Sequence, residues 1–263
     1  MKLTRREVEK IWGRTRLPPP FDRDLEEPVG EIWFEPPANA AQLLVKYLFT
    51  SQKLSVQVHP AAGQAGTGIA GKDECWLVLD AEPGAKLAIG FDEPISAEKM
   101  RHAALDGSIE RLLTWHPVEA GDFFYLPANT VHAIGPGVSL VEVQQNTDIT
   151  YRLYDYGRAR ELHLERAIEV AKGEVYKDKR RQRVAPDASV TLVNGPHFRL
   201  DHVHGSPSRS LLDAYDSTAT ILPIDGCIGV GDETLEPGEC AMVRDLAELD
   251  FSQAVRTLIA GPT

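Results

Sequence analysis

Residues 121–132 read Gly121-Asp122-Phe123-Phe124-Tyr125-Leu126-Pro127-Ala128-Asn129-Thr130-Val131-His132, and the reading of the whole chain turns on them. The glycine opens a tight turn, a short apolar strand over 122–126 follows, and a proline-containing turn then presents a histidine. Asn129 stands where a residue with positive φ is useful, and Asn tolerates that conformation better than most.

Two stretches upstream supply partners for His132. In Ser55-Val56-Gln57-Val58-His59-Pro60, strand alternation puts Ser55, Gln57 and His59 on one face and the two valines on the other. Three polar groups on one face suggest a pocket, because unpartnered polar groups are costly to bury; the plainer reading is a hydrogen-bonded surface pair. In Lys72-Asp73-Glu74-Cys75-Trp76, Lys72, Glu74 and Trp76 share a face. Lys72 and Glu74 read either as a salt bridge or as a substrate-facing cation beside a carboxylate ligand. Gln57, His59, Glu74 and His132 together would offer a divalent metal two imidazoles, a carboxylate and an amide oxygen. Imidazole suits zinc, iron or nickel, and oxygen ligands extend the choice towards manganese. With no thiolate in the set, a catalytic metal with open positions fits better than a closed structural zinc site.

Around these motifs the texture is mostly strand. Gln42–Thr50, Lys53–Val58, Glu74–Leu79, Ser139–Val143 and Thr150–Tyr154 are short and apolar, with glycines marking turns between Gly63 and Gly71. Ser96–Trp115 predicts two short helices and Glu161–Lys172 another. Arg5–Trp12 predicts a short helix, and Pro18-Pro19-Pro20 then forces an extended arm. Lys177–Arg183 carries five basic residues in seven and reads as a solvated linker. A second β-rich block follows from Val190 to Ile259.

Val118-Glu119-Ala120-Gly121-Asp122 and Leu235-Glu236-Pro237-Gly238-Glu239 share a pattern that suggests a repeat. Aligning Gly121 with Gly238 puts Leu249 where the first block has His132, so the second block would lack its chemistry. The expected organisation is therefore mainly β. A metal-binding lobe with an N-terminal arm and helical insert spans 1–158, a helix and basic linker span 159–184, and a degenerate β-lobe spans 185–263.

Composition narrows the function. The 263 residues include 39 acidic and 28 basic side chains, a net charge of −11, which excludes the basic footprint of a nucleic-acid binder. No apolar run approaches the roughly 18 residues of a membrane span. The first six residues lead into Glu7 and Glu9 rather than an apolar segment, so no secretory leader is expected. Three scattered cysteines fit a reduced, cytoplasmic setting. An anionic substrate would need a locally basic pocket against the protein's own field.

Gly121-x5-Pro127-x-Asn129-x2-His132 resembles the second cupin motif, with Asn129 in place of the usual glycine. Joined by Leu54–Pro60, Lys72-x-Glu74-x-Trp76 and Thr150-Tyr151-Arg152-Leu153-Tyr154-Asp155-Tyr156-Gly157-Arg158 in order, it is similar to the type I mannose-6-phosphate isomerases in their short bacterial form. The resemblance covers about residues 28 to 170, including Gly30-Glu31-x-Trp33 and Arg160-Glu161-Leu162-His163. It implies a cupin-type β-barrel, or jelly roll, with Zn2+ held by Gln57, His59, Glu74 and His132. Ser55 and Lys72 match positions lining a sugar-phosphate pocket. Arg152 matches the family's active-site arginine, Arg158 a phosphate contact, and Glu142 and Asp148 acidic positions near the reacting carbons.

The implied activity interconverts mannose 6-phosphate and fructose 6-phosphate, with Glu142 or Lys72 as base, in a monomer or homodimer whose partner is a small sugar phosphate. Two departures bear on the substrate. The large helical insert of longer members is missing, and Ala241-Met242-Val243-Arg244 lacks the proline turn of the first block. An isomerase of another sugar or sugar phosphate, or a non-catalytic metal- or sugar-sensing cupin, are the alternatives.

Overall fold

Leu43–Phe49 is buried at every residue, which a strand with one solvated face is not. Apolar material must therefore cover it on both sides. In the computed structural model, which describes residues 1–40, 42–215 and 218–263, that strand lies near the middle of a seven-stranded sheet.

Along the chain the first strands are β1 (Thr4–Leu17), β2 (Arg23–Glu35), β3 (Leu43–Phe49), β4 (Val56–Val58), β5 (Glu74–Ala81) and β6 (Lys86–Phe91). Helices α1 (Ala97–Asp106) and α2 (Ile109–Leu112) precede β7 (Leu113–Pro117), β8 (Asp122–Leu126), β9 (His132–Ile134), β10 (Val138–Gln145) and β11 (Tyr151–Tyr154). Helix α3 (Leu164–Val170) and β12 (Arg181–Arg183) lead to the second block. That block comprises β13 (Val190–Asn194), β14 (Phe198–His204), α4 (Arg209–Leu212), β15 (Ala219–Gly226), β16 (Ile228–Val230), β17 (Glu233–Leu235), β18 (Ala241–Val243), β19 (Leu249–Asp250) and β20 (Ala254–Pro262).

The seven-stranded sheet runs β1-β2-β3-β10-β5-β8-β12, and a five-stranded sheet runs β11-β4-β9-β6-β7. Their inner faces meet through Leu48, Trp76, Phe124 and Leu140 from the larger sheet and Leu87, Ile89 and Ile134 from the smaller. This is the mainly β, two-sheet architecture expected of a jelly roll. Val56, Val58 and Ala133, on the other side of the smaller sheet, pack under α1, α2 and α3 through Met100, Ala104, Ile109 and Ala167.

The outer face of the larger sheet is not solvated. Val45, Tyr47, Phe49, Cys75, Leu77 and Val143 pack against Phe198, Leu200, Leu222 and Leu258 of the second block, whose five-stranded sheet runs β13-β14-β20-β15-β18. Alternate residues of β3 therefore serve two cores. Leu48 points between the first two sheets, while Tyr47 and Phe49 point into the second block.

The N-terminal segment departs from the expected helix: Thr4–Leu17 is a strand paired antiparallel with β2. Val8, Ile11 and Trp12 have helical spacing, yet Ile11 is 53% exposed while Trp12 is 3% exposed. The operative period is two, with Val8, Lys10 and Trp12 turned inward, and pairing to a thirteen-residue strand overrides local preference. The prolines occupy the connection of this hairpin. Within the basic run expected as a solvated linker, Arg181–Arg183 is exposed and also extends the larger sheet by pairing with β8.

The two repeated pentapeptides adopt the same turn. Gly121 and Gly238 have φ of 90° and 86°, and in each turn an acidic side chain accepts a hydrogen bond from a backbone N–H three residues back, Asp122 from Glu119 at 2.8 Å and Glu239 from Glu236 at 2.9 Å. Leu249 is partly buried and packs against the apolar core of the second block.

Candidate metal centre and active-site cavity

The site is assembled from two cross-strand rows. On the smaller sheet Arg152 is the partner of Gln57 and Gln57 of His132. On the larger sheet Trp33 pairs with Lys46, Lys46 with Glu142, and Glu142 with Trp76. Because directly opposed residues project to the same side, each row presents its side chains together, and the sandwich turns the rows towards one another.

His132 follows the turn around Asn129, whose φ is 72°. His59, Glu74 and His132 come together with ligand atoms all within 4.8 Å of one another. His59 Nε2 lies 3.3 Å from Glu74 Oε2, and His132 Nε2 lies 3.4 Å from Oε1. Both rings are anchored from behind, His59 Nδ1 at 2.9 Å from the Ile149 carbonyl and His132 Nδ1 at 2.9 Å from that of Thr130. A carbonyl can only accept, so each Nδ1 carries the proton and each Nε2 offers its lone pair to the cluster, the tautomer a metal requires. Burial, partly offset by Glu74, lowers His132 to about 4, which keeps it neutral near pH 7. Burial alone would raise the Glu74 carboxyl, but the Lys72 ammonium beside it holds it well below the usual carboxylate range.

Gln57 closes the set, its Nε2 3.2 Å from His132 Nε2. Turning the amide over exchanges its oxygen and nitrogen. The Ser55 hydroxyl, 3.0 Å from Gln57 Oε1, can donate or accept and so tolerates either orientation. Among the described residues neither oxygen of Glu74, 1% exposed, accepts a well-formed hydrogen bond, the Lys72 ammonium pairing with Oε2 by charge. A buried carboxylate, two imidazole lone pairs and an amide oxygen make a donor set that fits a divalent cation.

Gln57 and Lys72 form the boundary between this cluster and a cavity of about 300 Å3. Lys72 Nζ lies 3.1 Å from Glu74 Oε2 and 3.2 Å from His59 Nε2. Burial alone would lower the Lys72 ammonium, but Glu74 and Glu142 outweigh it and raise it above the ordinary lysine value. Lys10, Lys46, Lys72, Arg152 and Arg160 line the cavity together with the carboxylates of Glu31, Glu142 and Asp148. Its walls are therefore net cationic in a chain of net charge −11.

Of the residues singled out in the sequence, Ser55, Gln57, Lys72, Glu142, Asp148 and Arg152 reach this cavity. Glu142 is fixed by Lys46 Nζ at 3.1 Å and by the Trp76 indole N–H, which donates to it at 3.0 Å. Asp148 is exposed at the rim. Arg152 has a buried Nε with no hydrogen-bond partner among the described residues; burial, then the neighbouring Arg160, lower its guanidinium pKa, though an arginine stays charged.

Arg158 is placed elsewhere. Its guanidinium donates to Asp155 at 2.6 Å and to the Lys53 carbonyl at 2.9 Å, and it is not among the cavity-lining residues. Arg160, fixed by two hydrogen bonds to Asp155 at 2.6 and 2.7 Å, lines the cavity in its stead. Sequence reasoning did not assign a site role to Lys10, Lys46, Arg160 or His163. Lys46 had a signal, being the one charge in the otherwise apolar Leu43–Phe49. Spacing does not separate Arg158 from Arg160, since both follow the turn at Tyr156-Gly157 outside any strand.

No protein-family model matches the chain. It is 37% identical over 204 residues to a mannose-6-phosphate isomerase of Streptococcus mutans, a match covering 62% of this chain and 64% of that protein. The chain thus aligns with less than two thirds of that relative's length. Its fold is that of the mannose 6-phosphate isomerase from Bacillus subtilis, with a TM-score of 0.77 and 23% identity over 99% of this chain and 98% of the other. A zinc-bound mannose 6-phosphate isomerase also shares it, with a TM-score of 0.66 and 15% identity over 100% and 99% of the two chains. No helix among the described residues is long and apolar enough to cross a membrane.

Proposed function

We propose that this protein is a zinc-dependent aldose–ketose isomerase of the mannose-6-phosphate isomerase family, interconverting mannose 6-phosphate and fructose 6-phosphate. The observation that carries the reading is the juxtaposition of the buried His59–Glu74–His132 cluster with a cavity whose cations include Lys72, Arg152 and Arg160. A metal-only site would not need that cationic wall, and an anionic substrate would. The similarity to the Streptococcus mutans enzyme supports the choice of sugar.

Moving hydrogen between C1 and C2 passes through an enediol, so negative charge develops on the carbonyl oxygen and must be stabilised. A bound divalent cation, held by Gln57, His59, Glu74 and His132, supplies Lewis acidity for this. Arg152 adds a guanidinium whose Nε has no hydrogen-bond partner among the described residues and is free to donate to the reacting oxygens. Lys72, kept protonated by its two carboxylate neighbours, donates beside it. Glu142 takes the carbon-bound proton; its position is set by Lys46 and Trp76, and the geometry of a base matters before its basicity does. Arg160 holds the phosphate at the far end, with Asp155 fixing its planar fork. Asp148, at the rim, is placed to assist ring opening.

The test is conversion of mannose 6-phosphate to fructose 6-phosphate by purified protein, before and after chelation, with zinc added back. Turnover abolished by chelation and restored by zinc is expected. Zinc-loaded protein inert towards every hexose and pentose phosphate would replace this reading with that of a sensing cupin.

A further inference from the structure

We infer that Asp73 is a positioning residue for the metal centre, holding the three strands that carry the ligands in one geometry from the face opposite the ligands themselves. The inference rests on the metal reading above.

Asp73 stands between Lys72 and Glu74 and, by strand alternation, its side chain leaves on the other side. It is 7% exposed, and among the described residues no cation lies within ion-pair distance of it. A buried carboxylate without a counter-charge persists only where hydrogen bonds replace the lost water. Asp73 Oδ1 accepts the backbone N–H of Ala128 at 2.9 Å, and Oδ2 accepts the Tyr125 hydroxyl. Its own N–H donates to Gln145 Oε1 at 2.9 Å, and its carbonyl accepts the Gln145 N–H at 3.0 Å. One residue is thereby bonded to the ends of β8 and β10 and to the turn ahead of β9.

That turn delivers His132. Asn129, next to Ala128, donates its backbone N–H to the His59 carbonyl at 2.7 Å. Its side-chain amide donates to Gln64 Oε1 at 2.7 Å, an oxygen that also accepts the Ala61 N–H at 2.7 Å. The path from Asp73 through Ala128 and Asn129 to His59 therefore crosses every segment bearing a histidine or carboxylate ligand. Glu74 needs no separate tie, being the next residue in the chain. None of these bonds touches the ligand atoms, so the arrangement does not depend on an ion being present.

The Ala128 N–H requires an acceptor at position 73, whereas the Tyr125 hydroxyl can donate or accept. Asparagine has nearly the same shape but removes the charge: it keeps the Ala128 bond only as a weaker neutral one and obliges the Tyr125 hydroxyl to reverse and accept. Outer groups that orient ligands typically change metal affinity by about 10- to 100-fold when removed.

The experiment is zinc affinity of the full chain by competition with a chromogenic chelator, for wild type, Asp73→Asn and Tyr125→Phe, with the visible spectrum of Co2+-substituted protein recorded alongside. Asp73→Asn is expected to weaken zinc by about tenfold or more and to alter the Co2+ bands. Tyr125→Phe, which leaves the Ala128 bond, is expected to weaken it by a smaller factor. The double variant is expected to lose less than the two factors multiplied, because both act on one carboxylate. A purely structural role would lower the melting temperature of metal-free protein while leaving zinc affinity and the Co2+ spectrum unchanged, and that result would overturn the inference. If Asp73→Asn does not fold, unaltered zinc affinity in Tyr125→Phe overturns it equally. No sugar enters the measurement, so failure of the substrate assignment leaves it intact, whereas a wild type that does not bind zinc would overturn both the metal reading and the clamp.

Discussion

Glu74 is the residue at which removal and reorganisation are easiest to tell apart. It is buried, anionic and central to two imidazoles, so Glu74→Ala is expected to reduce bound zinc from one per chain to near zero by elemental analysis. Stoichiometric zinc in that variant would withdraw Glu74 from the ligand set. Arg152→Ala removes a charge that contacts no ligand; zinc content should stay at one per chain while kcat falls by about 100-fold or more, the usual loss for a transition-state donor. The two carbonyl-anchored histidines were legible in the sequence, because strand alternation and a turn signal are local. The anchoring carbonyls of Ile149 and Thr130 were not, since a backbone acceptor leaves no mark on residue identity.

A third residue bears on pH. His202 in β14 is 1% exposed; burial lowers its pKa, against a hydrogen bond to the Ala188 carbonyl. Its folded pKa lies below the unfolded value, so below about pH 6.5 the unfolded chain takes up a proton that the folded chain resists. Its effect is absent at neutral pH and becomes destabilising as pH falls through that window. The melting temperature is expected to drop between pH 7.5 and 5.5 less steeply in His202→Gln than in wild type. Equal slopes would show that His202 does not contribute to the acid sensitivity.

At the scale of elements, what the sequence disclosed depended on whether neighbours or distant strands decided the outcome. Asp122–Leu126 was expected and found with the same limits, because turn chemistry bounds it on both sides. Arg5–Trp12 was mistaken for a helix because Val8, Ile11 and Trp12 satisfy that period; only the pairing with β2 selects the other. Trp12, fully sequestered between the sheets and part of the cavity wall, tests that pairing. Trp12→Ala is expected to cost about 3–5 kcal/mol in denaturant unfolding; a change under about 1 kcal/mol would mean that β1 is not docked as described.

For the whole molecule, the second block has the turn of the first without its histidine and contributes a surface instead of ligands. Removing residues 185–263 would strip the cover from Val45, Tyr47, Phe49, Leu77 and Val143, leaving a broad apolar sheet face in water. Such a face marks an aggregation liability, so residues 1–184 expressed alone are expected to be insoluble or to associate, as read by sedimentation. A soluble, monomeric 1–184 fragment would show that the second block is dispensable for folding. The repeat was visible as one short pattern, whereas the shared sheet was not, because packing between distant segments is not written in either.

That shared sheet has a consequence for how damage would spread. Lys46 faces the cavity and Tyr47, the next residue, belongs to the apolar core shared with the second block. Glu142 and Val143 stand in the same relation on β10, and on β5 Glu74 faces the two histidines while Cys75 joins the shared core. The cavity wall and the buttress behind it are thus the two sides of a layer one strand thick. A cavity opened in that shared core would be felt as slack behind Lys46 and Glu142, so variants selected far along the chain for solubility or heat tolerance should surface as changes in KM.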